Sequence, residues 1–422
     1  MKFFFPDSQD FIDPGFDFAR EAYSPNRVRQ RDDRYAHEFF PDPVYDGLLV
    51  SRAIVQGKGG GDEERKYTDA QRHRLLRVGA REFFRLGERP LQVLGDCGAF
   101  SYVREKVPPV TPDEVIDFYE ACGVELGASV DHVILGYQPE ADRSLPGIDL
   151  VPEDWRMRQE VTLELAAAFR GRHAARGCRF EPLGVAQGWS PASYARAVES
   201  LQAMGYRRIG VGGMVPLKTH EVLACLAAVA SVRRPDTQFH LFGVTRCEHV
   251  PQFQEYGVTS FDSTSPLKQA FMDDRDNYYA PGRTYIAVRV PQVEKHPKLQ
   301  RRIRSGEVDQ AEATRLERAC LAVLDAYGRG QSDLEEALAV VRAYEQLHDG
   351  TKDRTALYRE VLRDRPWEAC PCAVCHRLRE RGMGIQVVIF RRAERNRRRG
   401  FHNLWLMYSQ LQQTLSQGRR AS

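Results

Sequence analysis

Apolar residues along this chain come in short runs that alternate with segments of helical spacing. Strand-like runs fall near 47–55, 91–95, 128–135, 180–186, 207–211, 238–244, 258–262 and 284–290. Between most of them the apolar positions recur at helical intervals, over Pro112–Cys122, Glu153–Arg172, Pro191–Met204, Leu217–Val229 and Glu248–Tyr256. Thr68 is placed to cap a further helix running to about Leu86. Eight strands separated by helices predict an α/β fold, a (β/α)8 TIM-like barrel. An open doubly wound sheet is the alternative, but no Gly-x-Gly-x-x-Gly turn follows the first strand. The opening Phe3–Phe18 is aromatic and acidic with turn formers at Pro6, Asp7, Pro14 and Gly15, and reads as an irregular N-terminal segment. Gly57–Gly61 is a glycine-rich loop without the spacing of a phosphate-binding P-loop.

The rhythm breaks at 295. Residues 295–365 are highly charged and helical in pattern, with Leu316, Cys320, Val323 and Leu324 at helix spacing. The organisation expected is therefore an N-terminal segment and catalytic barrel over 1–294, a helical insertion over 295–365, and a metal-binding subdomain with a C-terminal helix over 366–422.

The last of these rests on Cys370-Pro-Cys372-Ala-Val-Cys375 with His402 further on. Three thiols and one imidazole can close a tetrahedral Cys3His shell around a structural Zn²⁺. His376 is the competing fourth ligand. Six arginines, at 391, 392, 395, 397, 398 and 399, lead into the final helix. Such a run is either a solvated face or a contact for a phosphate backbone.

Composition narrows the class without naming it. The chain has 422 residues, 42% of them hydrophobic and 28% charged, which suits a soluble globular enzyme. A net charge of +3 means that any affinity for nucleic acid must come from local patches. The apolar start stops too early for a signal peptide, and no run reaches the ~18 apolar residues of a membrane helix. Nine cysteines, an odd number, give no secreted disulfide framework. The cytoplasm is the expected location, with no membrane partner.

Barrel enzymes carry their chemistry where strands end. Asp96 follows Gln-Val-Leu-Gly, Asp131 lies in Ala-Ser-Val-Asp-His-Val-Ile, and Asp262 ends Gly-Val-Thr-Ser-Phe. Gln187 ends Leu-Gly-Val-Ala, and Gly212-Gly213 ends Ile-Gly-Val. A lone strand-end Asp is often only a helix cap, but several polar groups converging on one mouth form a site. Guanine offers donors at N1 and its 2-amino group and an acceptor at O6. An ionised Asp only accepts, which matches the donor edge, and a Gln amide can donate to O6. A further carboxylate can attack a sugar's anomeric carbon to give a covalent glycosyl-enzyme.

These segments resemble the tRNA-guanine transglycosylase superfamily. Gly95-Asp96-Cys97-Gly98-Ala99-Phe100 is similar to its Asp-Ser-Gly-Gly-Phe segment, and Gly184-Val185-Ala186-Gln187-Gly188 to its Gly-x-x-Gln-Gly. Ile209-Gly210-Val211-Gly212-Gly213-Met214 resembles Ile-Gly-Gly-Leu, Phe261-Asp262-Ser263 resembles Phe-Asp-Cys, and the cysteines with His402-Asn403 resemble the zinc motif. The likeness runs from roughly 47 to 412, without the helical lobe. It implies Asp262 as the nucleophile that displaces guanine and Asp96 as the acid/base that also helps hold the base. Asp131, Gln187 and the Gly213 backbone would read the base edge, and no ATP is needed for the exchange.

The departures bear on the substrate. Leu267-Lys268 stands where the tRNA enzymes have Thr-Arg, and Trp189 where a glycine is common. There is no room for the tRNA-recognising domain of archaeal members. The opening Phe5-Pro6-Asp7-Ser8-Gln9-Asp10-Phe11-Ile12-Asp13-Pro14 resembles the DpdA-type branch. That branch inserts a 7-deazaguanine base, typically 7-cyano-7-deazaguanine (preQ0), into DNA, usually with accessory proteins that include an ATPase. The alternatives are a transglycosylase acting on tRNA and a non-catalytic nucleic-acid-binding subunit. Retention of Asp262 with Asp96 argues against the last.

Overall fold

The computed structural model describes residues 1–57, 66–143, 149–272 and 275–421. Most of the glycine-rich loop, from 58 on, lies outside them. Two compact units divide the chain, one of Met1–Gln9, Tyr45–Thr264 and Gln410–Ser422, the other of Asp10–Val44 and Ser265–Ser409.

The first unit is a closed barrel of eight parallel strands. They are β1 Lys2–Pro6, β2 Gly47–Ser51, β3 Gln92–Asp96, β4 Leu126–Ala128, β5 Glu181–Ala186, β6 Arg208–Val211, β7 Gln238–Leu241 and β8 Val258–Asp262. Helices α1 Asp69–Phe83, α2 Pro112–Cys122, α3 Glu153–Arg176, α4 Pro191–Ala203, α5 Thr219–Ser231 and α6 Val250–Glu255 occupy the crossovers. Side chains fill the barrel, with Phe4, Leu49, Leu94, Leu126, Ala128, Leu183 and Val185 forming one buried cluster. Helix starts are set locally. Thr68, Thr111 and Ser190 each accept the N3 backbone N–H of the helix that follows, and Pro112 and Pro191 open theirs. Gly79, at φ 77°, breaks α1 shortly before its end.

The barrel is the expected one, but its membership differs by one strand. The run 284–290 is not in it: Arg283–Tyr285 pairs antiparallel with Tyr278–Ala280, and Val288–Arg289 pairs parallel with Ile389–Phe390. The place goes to β1, whose Phe3 and Phe4 pair with Phe261 and Asp262 on one side while Phe4 and Phe5 pair with Gly47 and Leu48 on the other. Three consecutive aromatics between Lys2 and Pro6 have no period-2 signature, because a strand flanked on both sides in a filled barrel is buried on both faces. The run 128–135 also differs. Only Leu126–Ala128 is ladder, and the buried segment that follows carries Asp131 beyond the strand end.

The second unit contains α7 Ser265–Met272, the hairpin Tyr278–Ala280/Arg283–Tyr285, and the charged helices α8 Pro297–Arg304, α9 Gln310–Gly328, α10 Leu334–His348 and α11 Thr355–Asp364. It continues through α12 Ala373–Glu380 and most of α13 Ala393–Ala421. No helix among the described residues is long and apolar enough to cross a membrane.

Five of the six arginines that lead into α13 are engaged inside the fold rather than forming a solvated face; Arg397, partly exposed, lies over the Phe11 ring. Arg395, Arg398 and Arg399 are buried, and the Arg391 side chain is only 4% exposed. Arg391, Arg392 and Arg395 converge on Glu21, Arg391 also meets Glu317, and Arg398 meets Glu394. Arg399 has no carboxylate partner and instead donates to the carbonyls of Val387, Ile389 and Ala270 and to Asn396 Oδ1. Their charge is spent inside the fold.

Candidate active site and metal centre

Parallel register and the two-residue period of strands assemble the barrel mouth. Ser51 ends β2 directly across from Asp96 at the end of β3. On β8, Ser260 and Asp262 share a face, and His240 of β7 stands opposite Ser260. The His240 ring spans both: Nδ1 lies 2.9 Å from Ser260 Oγ and Nε2 lies 3.2 Å from Asp262 Oδ1. A carboxylate oxygen accepts, so Nε2 donates to Asp262, and the ring's other nitrogen is engaged by the Ser260 hydroxyl. The Gly243 N–H donates to the same Oδ1 at 3.0 Å. Oδ1 is thus fixed by two donors, whereas Oδ2 accepts no hydrogen bond from the described residues.

Asp131 is held differently. Its Oδ2 accepts from Gln187 Nε2 at 2.7 Å, and its Oδ1 from the Cys97 thiol at 3.3 Å. Tyr102 packs its hydroxyl 3.3 Å from that sulfur and donates to the Asp131 carbonyl at 3.1 Å. Gln187 Oε1 accepts from the Ile134 N–H at 3.3 Å, so both ends of the amide are anchored. The glycine pair after β6 exists to admit that amide. A Cβ on Gly212 would sit 2.3 Å from Gln187 Nε2, and one on Gly213 would sit 2.8 Å from Oε1 and 2.4 Å from the Ile134 carbonyl. Gly213 also has φ +75°, where side chains are strained.

The three carboxylates feel one another. Burial pushes Asp96 up to about 6; the Ser51 hydroxyl and Gly98 N–H oppose this, and the charge of Asp262 adds to it. Burial pushes Asp131 up to about 7, aided by the charge of Asp96 and opposed by Gln187 and Cys97. Both therefore exchange protons near neutrality, as an acid/base group must. Asp96, Asp131, Gln187, Gly213 and Asp262, all singled out in the sequence, lie at or just beyond the ends of β3, β4, β5, β6 and β8 of one unit. His240, Ser260, Ser51 and Cys97 were not singled out. Their one signal is a polar residue inside an otherwise apolar run, and nothing local says that residues 20 apart will pair.

The second unit holds the Cys3His cluster, with ligand atoms of Cys370, Cys372, Cys375 and His402 all within 4.8 Å of one another. His402 Nδ1 lies 3.5, 3.4 and 3.6 Å from the three sulfurs. That fits a tetrahedron with metal–sulfur bonds of ~2.3 Å and a metal–nitrogen bond of ~2.0 Å, whose sulfur–nitrogen edge is ~3.5 Å. His402 Nε2 lies 2.7 Å from the Tyr279 carbonyl, so its hydrogen is there and Nδ1 keeps a lone pair for a metal. Tyr278 stacks on the ring at 4.2 Å. Asn403 pins the same hairpin, accepting from Tyr279 N and donating to the Pro266 and Asn277 carbonyls. His376, the competing ligand, is exposed and faces Glu380 instead. These four residues could hold a metal ion.

A closed parallel barrel with carboxylates and a glutamine at its strand ends, and a Cys3His cluster after it in sequence, is the make-up of the guanine transglycosylases, which are pentosyltransferases. The chain is 28% identical over 194 residues to the tRNA-guanine(15) transglycosylase of Pyrococcus abyssi (strain GE5 / Orsay), covering 45% of this chain and 30% of that protein. Over 420 residues, 99% of this chain and 98% of the relative, it is 50% identical to the DNA-guanine transglycosylase of Salmonella montevideo. The chain belongs to the DNA-guanine transglycosylase family. No family model matches it.

Proposed function

We propose that this guanine transglycosylase acts on DNA, exchanging guanine for a 7-deazaguanine base, 7-cyano-7-deazaguanine (preQ0), by double displacement at Asp262. The observation that carries the mechanism is the asymmetry of that carboxylate, with Oδ1 doubly hydrogen-bonded and Oδ2 free of such bonds. Oδ2 attacks C1′ of the nucleotide, the C1′–N9 bond breaks, and guanine leaves with the electron pair. Asp96, titrating near 6, supplies the proton to the leaving base. The same carboxylate takes the proton from the entering base, whose N9 attacks C1′ and releases Asp262. The covalent intermediate keeps the glycosidic bond energy, so no nucleotide triphosphate enters the balance.

Asp131 accepts from the donor edge of the base. Gln187 has a second amide hydrogen beyond the one on Asp131 for the base oxygen, and the Gly213 backbone completes the edge. DNA is favoured over tRNA by the near full-length likeness to a relative with that name, against a likeness over less than half the chain to the tRNA enzyme. Leu267, beside the nucleophile segment, is buried, and a Cβ on Gly400 would sit 2.4 Å from it, so it presents no polar group to a nucleic acid. The four-residue cluster would hold Zn²⁺ as a structural ion, tying Cys370–Cys375 to α13. An accessory ATPase for strand opening enters the proposal through the family resemblance alone.

The test is exchange of labelled guanine into closed duplex, bubble DNA and tRNA side by side. Label entering DNA, and best at the bubble, is expected; label entering only tRNA overturns the reading. Elemental analysis should find one zinc per chain, and its absence from well-folded protein would reject the metal assignment.

A further inference from the structure

With most of the Arg391–Arg399 run engaged inside the fold, contacts to a phosphate backbone are to be sought among other cations. The stretch 295–306 carries Lys295, Lys298, Arg301, Arg302 and Arg304 and no acidic residue, bounded by Glu294 and Glu307. Most of it is α8, whose start is fixed by Pro297 in the first turn and by the His296 ring accepting the Leu299 N–H. Leu299 is fully buried and Ile303, one turn on, is half-buried, so the inner face is set. At ~100° per residue, Lys298, Arg301 and Arg304 fall within ~120° on the opposite face. All three are exposed, as is Lys295 just before the helix. None of the four makes an ion pair among the described residues. Arg302, off that face, is taken by Glu307 and the Leu347 carbonyl.

The neighbouring helices behave otherwise. Arg315 is paired with Glu312, Arg329 with Asp325, Arg359 with Glu335 and Arg363 with Asp364. Among the described residues of those helices most exposed arginines are neutralised, with Arg318 a single exception, and the outer face of α8 is a contiguous departure from that habit. Uncompensated like charges three residues apart repel, so they are held together at a cost that an anionic partner removes. A regular polyanion with charges a few ångströms apart complements such a stripe, whereas a single small anion would engage only part of it.

We propose that the outer face of α8, with Lys298, Arg301 and Arg304 and Lys295 leading into it, is a docking surface for the phosphate backbone of duplex DNA. The proposal rests on the reading that DNA is the substrate, and it assigns affinity rather than base recognition to this face.

The test is the triple variant Lys298→Gln/Arg301→Gln/Arg304→Gln in the full chain, with Arg359→Gln as a control whose partner is Glu335. Binding to duplexes of unrelated sequence is measured across salt concentrations. The triple variant should lose affinity equally for every sequence and flatten the log–log salt slope by ~0.9 per lost contact, up to ~2.7. Exchange at saturating DNA should stay at the wild-type rate, and Arg359→Gln should bind like wild type. Restoring charge with Lys298→Arg/Arg301→Lys/Arg304→Lys should restore the slope. An unchanged affinity and slope in a triple variant that still exchanges guanine overturns the proposal. Wild-type protein that exchanges guanine into tRNA but not DNA overturns the substrate reading instead, so the two failures are told apart.

Discussion

The barrel mouth and the arginine-rich start of α13 both bury charge, and they settle it in opposite ways. At the mouth, the charge of Asp262 adds to the raised proton affinity of Asp96 and the charge of Asp96 to that of Asp131, and the groups set against the carboxylates are mostly donors without formal charge, among them Ser51, Gly98, Cys97, Gln187 and Gly243. In the second unit, Glu21 alone receives Arg391, Arg392 and Arg395, and Glu394 receives Arg398. Burial lowers Arg395 to about 10, opposed by Glu21, and lowers Arg399 to about 9, so both stay charged at neutral pH. Charge kept without an opposite partner is available for chemistry, and charge anchored by ion pairs and carbonyls is available only for holding the fold. The sequence density of like charge pointed to the second; the proposed chemistry lies with the first.

The largest expected effect breaks the mouth without touching the fold. Asp262→Asn keeps the shape and both Oδ1 contacts but removes the nucleophile. Guanine exchange and the covalent adduct on denaturing gels should both disappear while the melting temperature holds. Exchange near the wild-type rate would remove double displacement from the mechanism.

Glu21→Gln attacks the other region. It leaves Arg391 and Arg395 buried without their shared counter-charge, which should destabilise the second unit by ~3–5 kcal/mol. Denaturant unfolding reads this directly. A loss below about 1 kcal/mol would mean that the carbonyl acceptors alone suffice.

His240 tests how far positioning matters. His240→Phe removes the Nε2 donor and frees the Asp262 carboxylate to rotate, an error of the kind that costs ~10²-fold in rate. The fall should be in kcat with KM nearly unchanged, and His240→Gln, which keeps an N–H, should recover part of it. A change confined to KM would reassign His240 to base binding.

The smallest effect is the pH response, and its sign separates stability from activity. Asp96 and Asp131 are raised to about 6 and about 7 from an ordinary value of 3.8. The folded state therefore holds their protons more tightly than the unfolded chain does. This stabilisation is fully present below about pH 4 and is lost as pH rises through 6 to 7. Exchange should instead pass through a maximum in this window, because Asp96 must carry a proton to release guanine while Asp131 must be ionised to accept from the base. Melting temperature measured from pH 5 to 8 should thus fall steadily through this contribution while the exchange rate rises and then falls, and the slope of the former should vanish in Asp131→Asn/Asp96→Asn.

Much of the site was legible because strand ends and glycines are local signals. Asp96, Gln187, Gly213 and Asp262 each close an apolar run, and a run's end is where a barrel presents its side chains. Asp131 was legible as a residue but not as a position, since the buried segment 129–134 looks like strand but lies outside any named strand. The Thr68 cap was legible for the same local reason. The first strand was not, because Phe3-Phe4-Phe5 shows neither alternation nor length.

By itself the sequence determined the helices, the spacing of three thiols before His402, and a row of polar residues at strand ends, since each depends on neighbours a few positions away. Only the tertiary structure decided that Lys2–Pro6 closes the barrel rather than 284–290, that His240 and Gly243 hold Asp262 by one oxygen, and that Arg391, Arg392 and Arg395 settle on Glu21 and Arg398 on Glu394. Those outcomes rest on contacts between residues more than 370 positions apart, where the low dielectric of the interior and the geometry of packing, rather than residue type, set what a charge can do.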